Sequence, residues 1–84
     1  MTVKKQLGMR IRYLRQRKGM SIEDLALECN INRNYLSDLE RGTRNPSIEI
    51  LSRLSFGLKV SLEELFRGIQ ILYWRRRELP VFYL

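Results

Sequence analysis

Residues 21–42 read SIEDLALECNINRNYLSDLERG, and their pattern predicts two short helices joined by a tight turn. Ser21 suits the position that caps the first helix, and Asp24 stands three residues later, where a carboxylate completes a capping box. An apolar stripe at i, i+3, i+4 and i+7 runs along this helix and consists of Ile22, Leu25, Ala26 and Cys29. The first helix is therefore expected to bury one face.

The next residues predict the turn and the second helix. Asn30 interrupts the apolar stripe, and asparagine tolerates the left-handed backbone conformation that a tight turn requires. Ile31 plugs the turn and Asn32 caps the second helix. Leu36 and Leu39 then face inward, which leaves a polar outer face near the helix N-terminus. Two helices in this arrangement form a helix-turn-helix, the geometry that places side chains on base edges in the major groove.

Charge and length also favour a nucleic-acid-binding module. The 84 residues form one small domain, and 16 Lys and Arg against 9 Asp and Glu give a net charge of +7. An excess of this size can simply keep a surface solvated. The basic residues are unevenly spread, however, and crowd the first twenty positions at Lys4, Lys5, Arg10, Arg12, Arg15, Arg17 and Lys18. This bias favours a polyanion as the partner.

The composition offers little for catalysis. There is no histidine and no glycine-rich phosphate loop, and the single cysteine, Cys29, lies on an apolar stripe. We therefore expect no enzyme activity, no metal site, no cofactor and no small-molecule ligand. A lone thiol suits a reducing cytoplasm, no signal peptide is recognisable, and no apolar run approaches the ~20 residues of a membrane span. These features predict a cytoplasmic protein without a membrane partner.

The rest of the chain completes an all-α, compact five-helix fold with no strand before residue 69. Helix one is expected over Val3–Lys18, with Leu7, Ile11 and Leu14 on one face. Helix four follows Pro46 and Ser47, uses Ile48, Leu51 and Leu54, and is expected to stop at Gly57. Helix five opens with a capping box from Ser61 to Glu64 and is expected to bury Leu62, Leu65 and Phe66.

Two domains follow from this division, a DNA-binding domain at 1–68 and an apolar C-terminal extension at 69–84. The favoured interpretation continues helix five through Gly68 to a point before Pro80; the alternative pairs ILYW and VFYL as strands. So much apolar surface usually marks an interface, although it could also fold back as extra core. A membrane-surface role is disfavoured because the apolar run is short. The predicted dimer contacts are Leu65, Phe66, Ile69, Leu72, Tyr73, Trp74 and Phe82.

The chain resembles the Cro and repressor family of helix-turn-helix regulators, also called the xenobiotic-response-element-like family. The motifs are RYLRQRKGMS, the segment from Ala26 to Asn32, YLSDLERGTRNPS and LKVSLEELF, and together they cover roughly residues 7–67. The NRNY start of the second helix is similar, more weakly, to the controller proteins of restriction-modification systems. Two positions depart from the family pattern: Ile22 stands where glutamine commonly contacts a phosphate, and Asn30 stands where glycine is common.

Three exposed residues of the second helix have the chemistry of base readers. Arg33 can donate two hydrogen bonds to guanine, Asn34 can pair with adenine, and Asp38 can accept from cytosine. The resemblance implies base contacts at the same positions, with Ser37 nearby. Tyr35 could pack on the scaffold or reach a phosphate or thymine, and any one of these side chains could be merely solvated.

Phosphate contacts and a structural pair complete the predicted site. The candidates for phosphate contact are the backbone near Ser21, the cap residue Asn32 and the loop residues Arg41, Thr43, Arg44 and Asn45. The resemblance implies that Arg15 and Glu40 form a pair that braces helix one against the end of the recognition helix.

The sequence therefore predicts a sequence-specific double-stranded DNA-binding regulator of transcription, of bacterial, phage or mobile-element origin. A homodimer would present two recognition helices about one helical turn of DNA apart, so its operator would be a pseudo-palindrome. The alternative is an antitoxin-like or other protein-binding module that uses the apolar tail to hold a partner protein.

Overall fold

The computed structural model describes residues 1–70, and these form five α-helices without a strand. The helices are α1 (Val3–Arg17), α2 (Ile22–Cys29), α3 (Arg33–Arg41), α4 (Ile48–Leu58) and α5 (Leu62–Leu65). The predicted all-α fold with a helix-turn-helix at its second and third helices is confirmed. The alternative that pairs ILYW and VFYL as strands, and the predicted contacts at Leu72, Tyr73, Trp74 and Phe82, lie outside the described residues.

Each helix begins at a residue whose side chain accepts a hydrogen bond from the first turn, namely Thr2, Ser21, Asn32, Ser47 and Ser61. At α2 both halves of the predicted capping box are present, since Ser21 Oγ accepts from the Asp24 amide at 3.0 Å and the Ser21 amide donates to Asp24 Oδ2 at 2.9 Å. At α5 only the serine half forms. The Glu64 carboxylate instead accepts from Arg10 at 2.9 Å and from Arg67.

Among residues 1–70, the residues buried in the core are all apolar. α1 packs against α3, α2 packs against α3 and α4, and α5 closes the domain against α1 and α4. The buried side chains are Leu7, Ile11, Leu14, Leu25, Ala26, Cys29, Leu36, Leu39, Leu51, Leu54, Leu58 and Leu65. Four residues predicted to lie on buried faces differ: Ile48 is 76% exposed, Leu62 is 45% exposed, and Ile22 and Phe66 are only partly buried. Within residues 1–70, no helix is long and apolar enough to cross a bilayer.

The prediction that Gly57 ends helix four is wrong. α4 continues through Gly57 to Leu58, and Lys59 ends it with a left-handed backbone at φ 57°. A Cβ atom on residue 57 would lie 2.3 Å from Cys29 Sγ, so glycine here allows α2 and α4 to approach closely. Gly57 therefore permits close packing of two helices and does not terminate α4.

The expectation that helix five continues through Gly68 is also wrong. α5 ends at Leu65, and Gly68 has a φ of +84°, which a continuing α-helix does not allow. Beyond this turn, the Gln70 amide donates to Gln6 Oε1 at 2.8 Å, and Gln6 Nε2 donates to the Gln70 carbonyl at 2.9 Å. These two bonds hold the last described residues beside the first turns of α1.

Candidate nucleic-acid interface

The turn between α2 and α3 is fixed at three points. Asn30 adopts the predicted left-handed conformation, with φ 55° and ψ 49°. The Ile31 amide donates to the Ala26 carbonyl at 3.0 Å, and the Ile31 side chain packs against the core. Arg53 on α4 donates through Nη1 to the Asn30 carbonyl at 3.0 Å. The two helices therefore hold a defined angle.

The outer face of α3 is polar, because its two leucines point inward. Leu36 is fully buried and Leu39 is 2% exposed. Arg33 and Asn34 are exposed on the first turn of the helix, while Ser37 and Asp38 are half-buried one turn later. Four of the five side chains predicted to contact bases thus share the side of α3 that faces away from the domain, while Tyr35 is half-buried and packs against the core.

Arg33 forms an ion pair with Glu23 of α2. Its Nε donates to Glu23 Oε2 at 2.7 Å, across the gap between the first turns of α3 and α2. Both side chains remain more than half exposed. The pKa of Glu23 is lowered, chiefly by this hydrogen bond from Arg33. No partner of Glu23 was predicted from the sequence. The signal that could have identified one is that Glu23 and Arg33 lie in the first turns of two helices that a helix-turn-helix brings together.

The Asp38 carboxylate accepts hydrogen bonds from two arginines. Its Oδ1 accepts from Arg41 Nη2, and its Oδ2 accepts from Arg44 Nε at 3.2 Å. Arg41 also donates to Ser37 Oγ at 2.9 Å, and the Arg44 guanidinium lies 5.4 Å from the centre of the Tyr35 ring. Predicted base readers and predicted phosphate contacts thus form one connected cluster. Each Asp38 oxygen therefore already accepts one hydrogen bond from an arginine, and each keeps a further lone pair.

The remaining predicted phosphate contacts surround this cluster. Thr43 Oγ1 donates to the Asp38 carbonyl at 3.1 Å, and Asn45 is exposed in the loop that follows α3. The side-chain oxygen of Asn32 accepts from the amides of Asn34 and Tyr35, so only its amide nitrogen is left for a phosphate. The Ser21 amide is already satisfied by Asp24 within the capping box.

The Arg15–Glu40 pair is bidentate and largely buried. Arg15 Nε and Nη2 donate to the two carboxylate oxygens at 2.7 and 2.9 Å, and the side chains are only 12% and 7% exposed. Arg15 Nη1 also donates to the Met20 carbonyl at 3.0 Å. The pKa of Arg15 is raised, chiefly by the hydrogen bond to Glu40. The pair joins α1, the end of α3 and the start of the helix-turn-helix.

The same segment matches a known family. A family model described as helix-turn-helix covers residues 11–65. The chain belongs to this helix-turn-helix family. Over 68 residues it is 44% identical to the HTH-type transcriptional regulator SlrR of Bacillus subtilis, a match that covers 80% of this chain and 45% of SlrR. The present chain thus spans about half the length of SlrR.

Solved structures of controller proteins share the fold. The restriction-modification controller protein C.AhdI of Aeromonas hydrophila is 39% identical with a TM-score of 0.72, and the match covers 76% of this chain and 96% of C.AhdI. The C.Esp1396I tetramer in complex with its natural 35 base-pair operator is 35% identical with a TM-score of 0.75, over 82% of this chain and 91% of that one. Both predicted resemblances, to repressors and to controllers, are confirmed. This helix-turn-helix protein belongs to a family of DNA-binding transcriptional regulators.

Proposed function

We propose that this protein regulates transcription in the cytoplasm of a bacterium by binding a pseudo-palindromic DNA operator as a homodimer. The observation that carries the proposal is the exposed polar face at the start of α3. The turn before this helix is held in place by the hydrogen bond from Arg53 to the Asn30 carbonyl. An α-helix fits the major groove, and its N-terminal side chains then meet base edges.

Arg33 and Asn34 are the proposed primary base readers. They are exposed on the first turn of α3, the part of a recognition helix that enters the groove. Tyr35 is proposed to contact the DNA beside them while its ring packs against Arg44. Ser37 is proposed to read a base through its hydroxyl proton, and Asp38 through the lone pairs that its bonds to Arg41 and Arg44 leave.

The phosphate backbone on either side is the proposed ligand of the surrounding residues. Arg41 and Arg44 are more than half exposed and carry the positive charge needed at a phosphate. Neutral donors are proposed at Asn45 and the Asn32 amide. The Thr43 hydroxyl and the Ser21 amide are proposed to join them by exchanging their bonds to the Asp38 carbonyl and the Asp24 carboxylate for bonds to a phosphate. Such contacts position the protein but carry no sequence information.

The homodimer is proposed to form through residues after α5. Leu65 is fully buried in its own chain and offers no surface to a partner, so it is removed from the interface. Phe66 and Ile69 are only partly buried against the core and remain in the proposal. The extension at 69–84, with Leu72, Tyr73, Trp74 and Phe82, is proposed to complete the contact because of its apolar composition.

Arg33→Ala is expected to weaken binding to the preferred site by roughly 1 to 3 kcal/mol and to relax preference at one base pair. Arg44→Ala should instead weaken binding about equally on preferred and scrambled DNA and should reduce the salt slope by about one. Selection from a random DNA pool supplies the preferred duplex, and titrations of both variants at several salt concentrations measure the losses.

The two variants serve as controls for each other. Equal losses for Arg33→Ala on both duplexes would show that Arg33 does not read bases. If the unaltered protein binds selected and scrambled DNA with the same affinity, the regulator proposal fails.

The assembly has its own test. Light scattering of the intact chain at micromolar concentration is expected to give twice the mass of one chain. A variant that stops after Gln70 keeps the bonds to Gln6 and should dimerise more weakly, with lower affinity for the operator. A monomeric mass for the intact chain would contradict the dimer.

A further inference from the structure

Glu23 and Arg33 form an ion pair exposed on the DNA-reading side of the domain. Glu23 lies in the first turn of α2, and Arg33 is the first residue of α3. The hydrogen bond from Arg33 Nε to Glu23 Oε2 measures 2.7 Å. The Arg33 side chain is 53% exposed and the Glu23 side chain is 63% exposed. Exposed pairs add little to stability, so this pair is poorly explained as a structural device.

The geometry of the bond leaves the reading edge of Arg33 available. A guanidinium has five N–H groups in a fixed plane, and Glu23 accepts from the one on Nε. The two terminal nitrogens, Nη1 and Nη2, form another edge of the same plane. That edge can donate two parallel hydrogen bonds to O6 and N7 of a guanine. The carboxylate therefore fixes the plane without occupying the groups that would read the base.

The charge of Glu23 also disfavours the competing contact. A long arginine at the edge of the major groove can turn to a phosphate on any sequence, which adds affinity without selectivity. A carboxylate hydrogen-bonded to the guanidinium repels a phosphate that approaches the same group. A glutamate carboxylate is ionised at neutral pH, and the hydrogen bond from Arg33 lowers the pKa of Glu23 further. Base atoms such as O6 and N7 are neutral and meet less repulsion.

We propose that Glu23 is a positioning residue that orients Arg33 toward a base and away from the phosphate backbone, so that it raises sequence selectivity while lowering overall affinity. This inference rests on the proposed function, in which Arg33 reads a base pair. It assigns Glu23 an action through Arg33 rather than a DNA contact of its own.

The test compares Glu23→Gln and Glu23→Ala with the unaltered protein on three duplexes. These are the selected site, the same site changed at the base pair where Arg33→Ala relaxes preference, and scrambled DNA. Both variants should bind scrambled DNA more tightly. Discrimination at the changed base pair should fall at least about threefold, out of the roughly five- to hundredfold that one bidentate arginine contributes. Alanine should lose more than glutamine, because the glutamine oxygen can still accept from Nε.

Glu28→Gln is the matched control. Glu28 is an exposed residue of the same helix, and its replacement removes the same charge from a residue that forms no ion pair with Arg33 within residues 1–70. It should change affinity about equally on all three duplexes and leave discrimination intact. In an Arg33→Ala background, Glu23→Gln should likewise leave discrimination unchanged.

The outcomes separate this inference from the proposed function. Suppose that Glu23→Gln and Glu23→Ala change affinity equally on all three duplexes, as Glu28→Gln is expected to do, while the unaltered protein still prefers its site. Glu23 then does not position Arg33, and only this inference is overturned. If the unaltered protein shows no preference among the duplexes, the proposed function itself has failed. Circular dichroism of each variant establishes that the helices are retained.

Discussion

Glu40→Ala is expected to lower the free energy of unfolding by about 3 kcal/mol, because it leaves the Arg15 guanidinium largely buried without its carboxylate. Two hydrogen bonds, at 2.7 and 2.9 Å, are lost together. Only the bond from Arg15 Nη1 to the Met20 carbonyl remains. Urea unfolding followed by circular dichroism measures the change.

Glu49→Ala supplies the comparison. Glu49 forms a looser pair with Arg53, at 3.9 Å, and is 71% exposed, so its loss should cost less than about 1 kcal/mol. DNA affinity should fall for Glu40→Ala as well, since the end of α3 loses its attachment to α1. Equal stability losses for the two variants, or reduced binding with no change in stability for Glu40→Ala, would show that the Arg15–Glu40 pair is not a structural brace.

Gly8→Ala is expected to destabilise the domain by about 3 kcal/mol through overpacking at the contact between α1 and α3. A Cβ atom at residue 8 would lie 2.5 Å from the carbonyl oxygens of both Leu39 and Glu40. These are backbone atoms of α3, which cannot rotate aside as a side chain can. Accommodation requires the two helices to separate beside the Arg15–Glu40 pair.

Thermal unfolding of Gly8→Ala and Met9→Ala checks this expectation. Met9 is the next residue of α1 and is 57% exposed, so alanine there should leave the melting temperature nearly unchanged. Alanine is a better helix former than glycine by about 1 kcal/mol. If Gly8→Ala melts at or above the temperature of the unaltered protein, propensity outweighs the contact and the close approach of α1 to α3 is not required.

Local signals in the sequence predicted most of the fold. Serine or asparagine caps and an apolar periodicity identified the starts of α2 and α3 and the buried faces, because both depend on residues within one or two turns. Gly57 and Gly68 exposed the limit of such reasoning. One glycine sits inside a helix because a cysteine from another helix lies against it, and the other takes a positive φ where continuation was expected.

The same limit applies to the site. The outward direction of Arg33 and Asn34 followed from the inward direction of Leu36 and Leu39 on the same helix. The pairing of Arg33 with Glu23 depends on the angle between α2 and α3 instead. Asp38 was predicted as a base reader because only its own chemistry was considered. Its two arginine partners come from the end of α3 and from the loop beyond it, whose path the sequence does not specify.

The separation between an apolar core and a polar α3 surface bears on how new binding specificities arise. Arg33 and Asn34 contribute nothing to the buried residues, and the cap that starts their helix belongs to Asn32. Exchanging these two exposed side chains therefore costs little folding free energy, since surface substitutions typically change it by no more than about 0.5 kcal/mol. Duplicated copies of such a gene could diverge toward different operators by few substitutions, each intermediate remaining a folded protein.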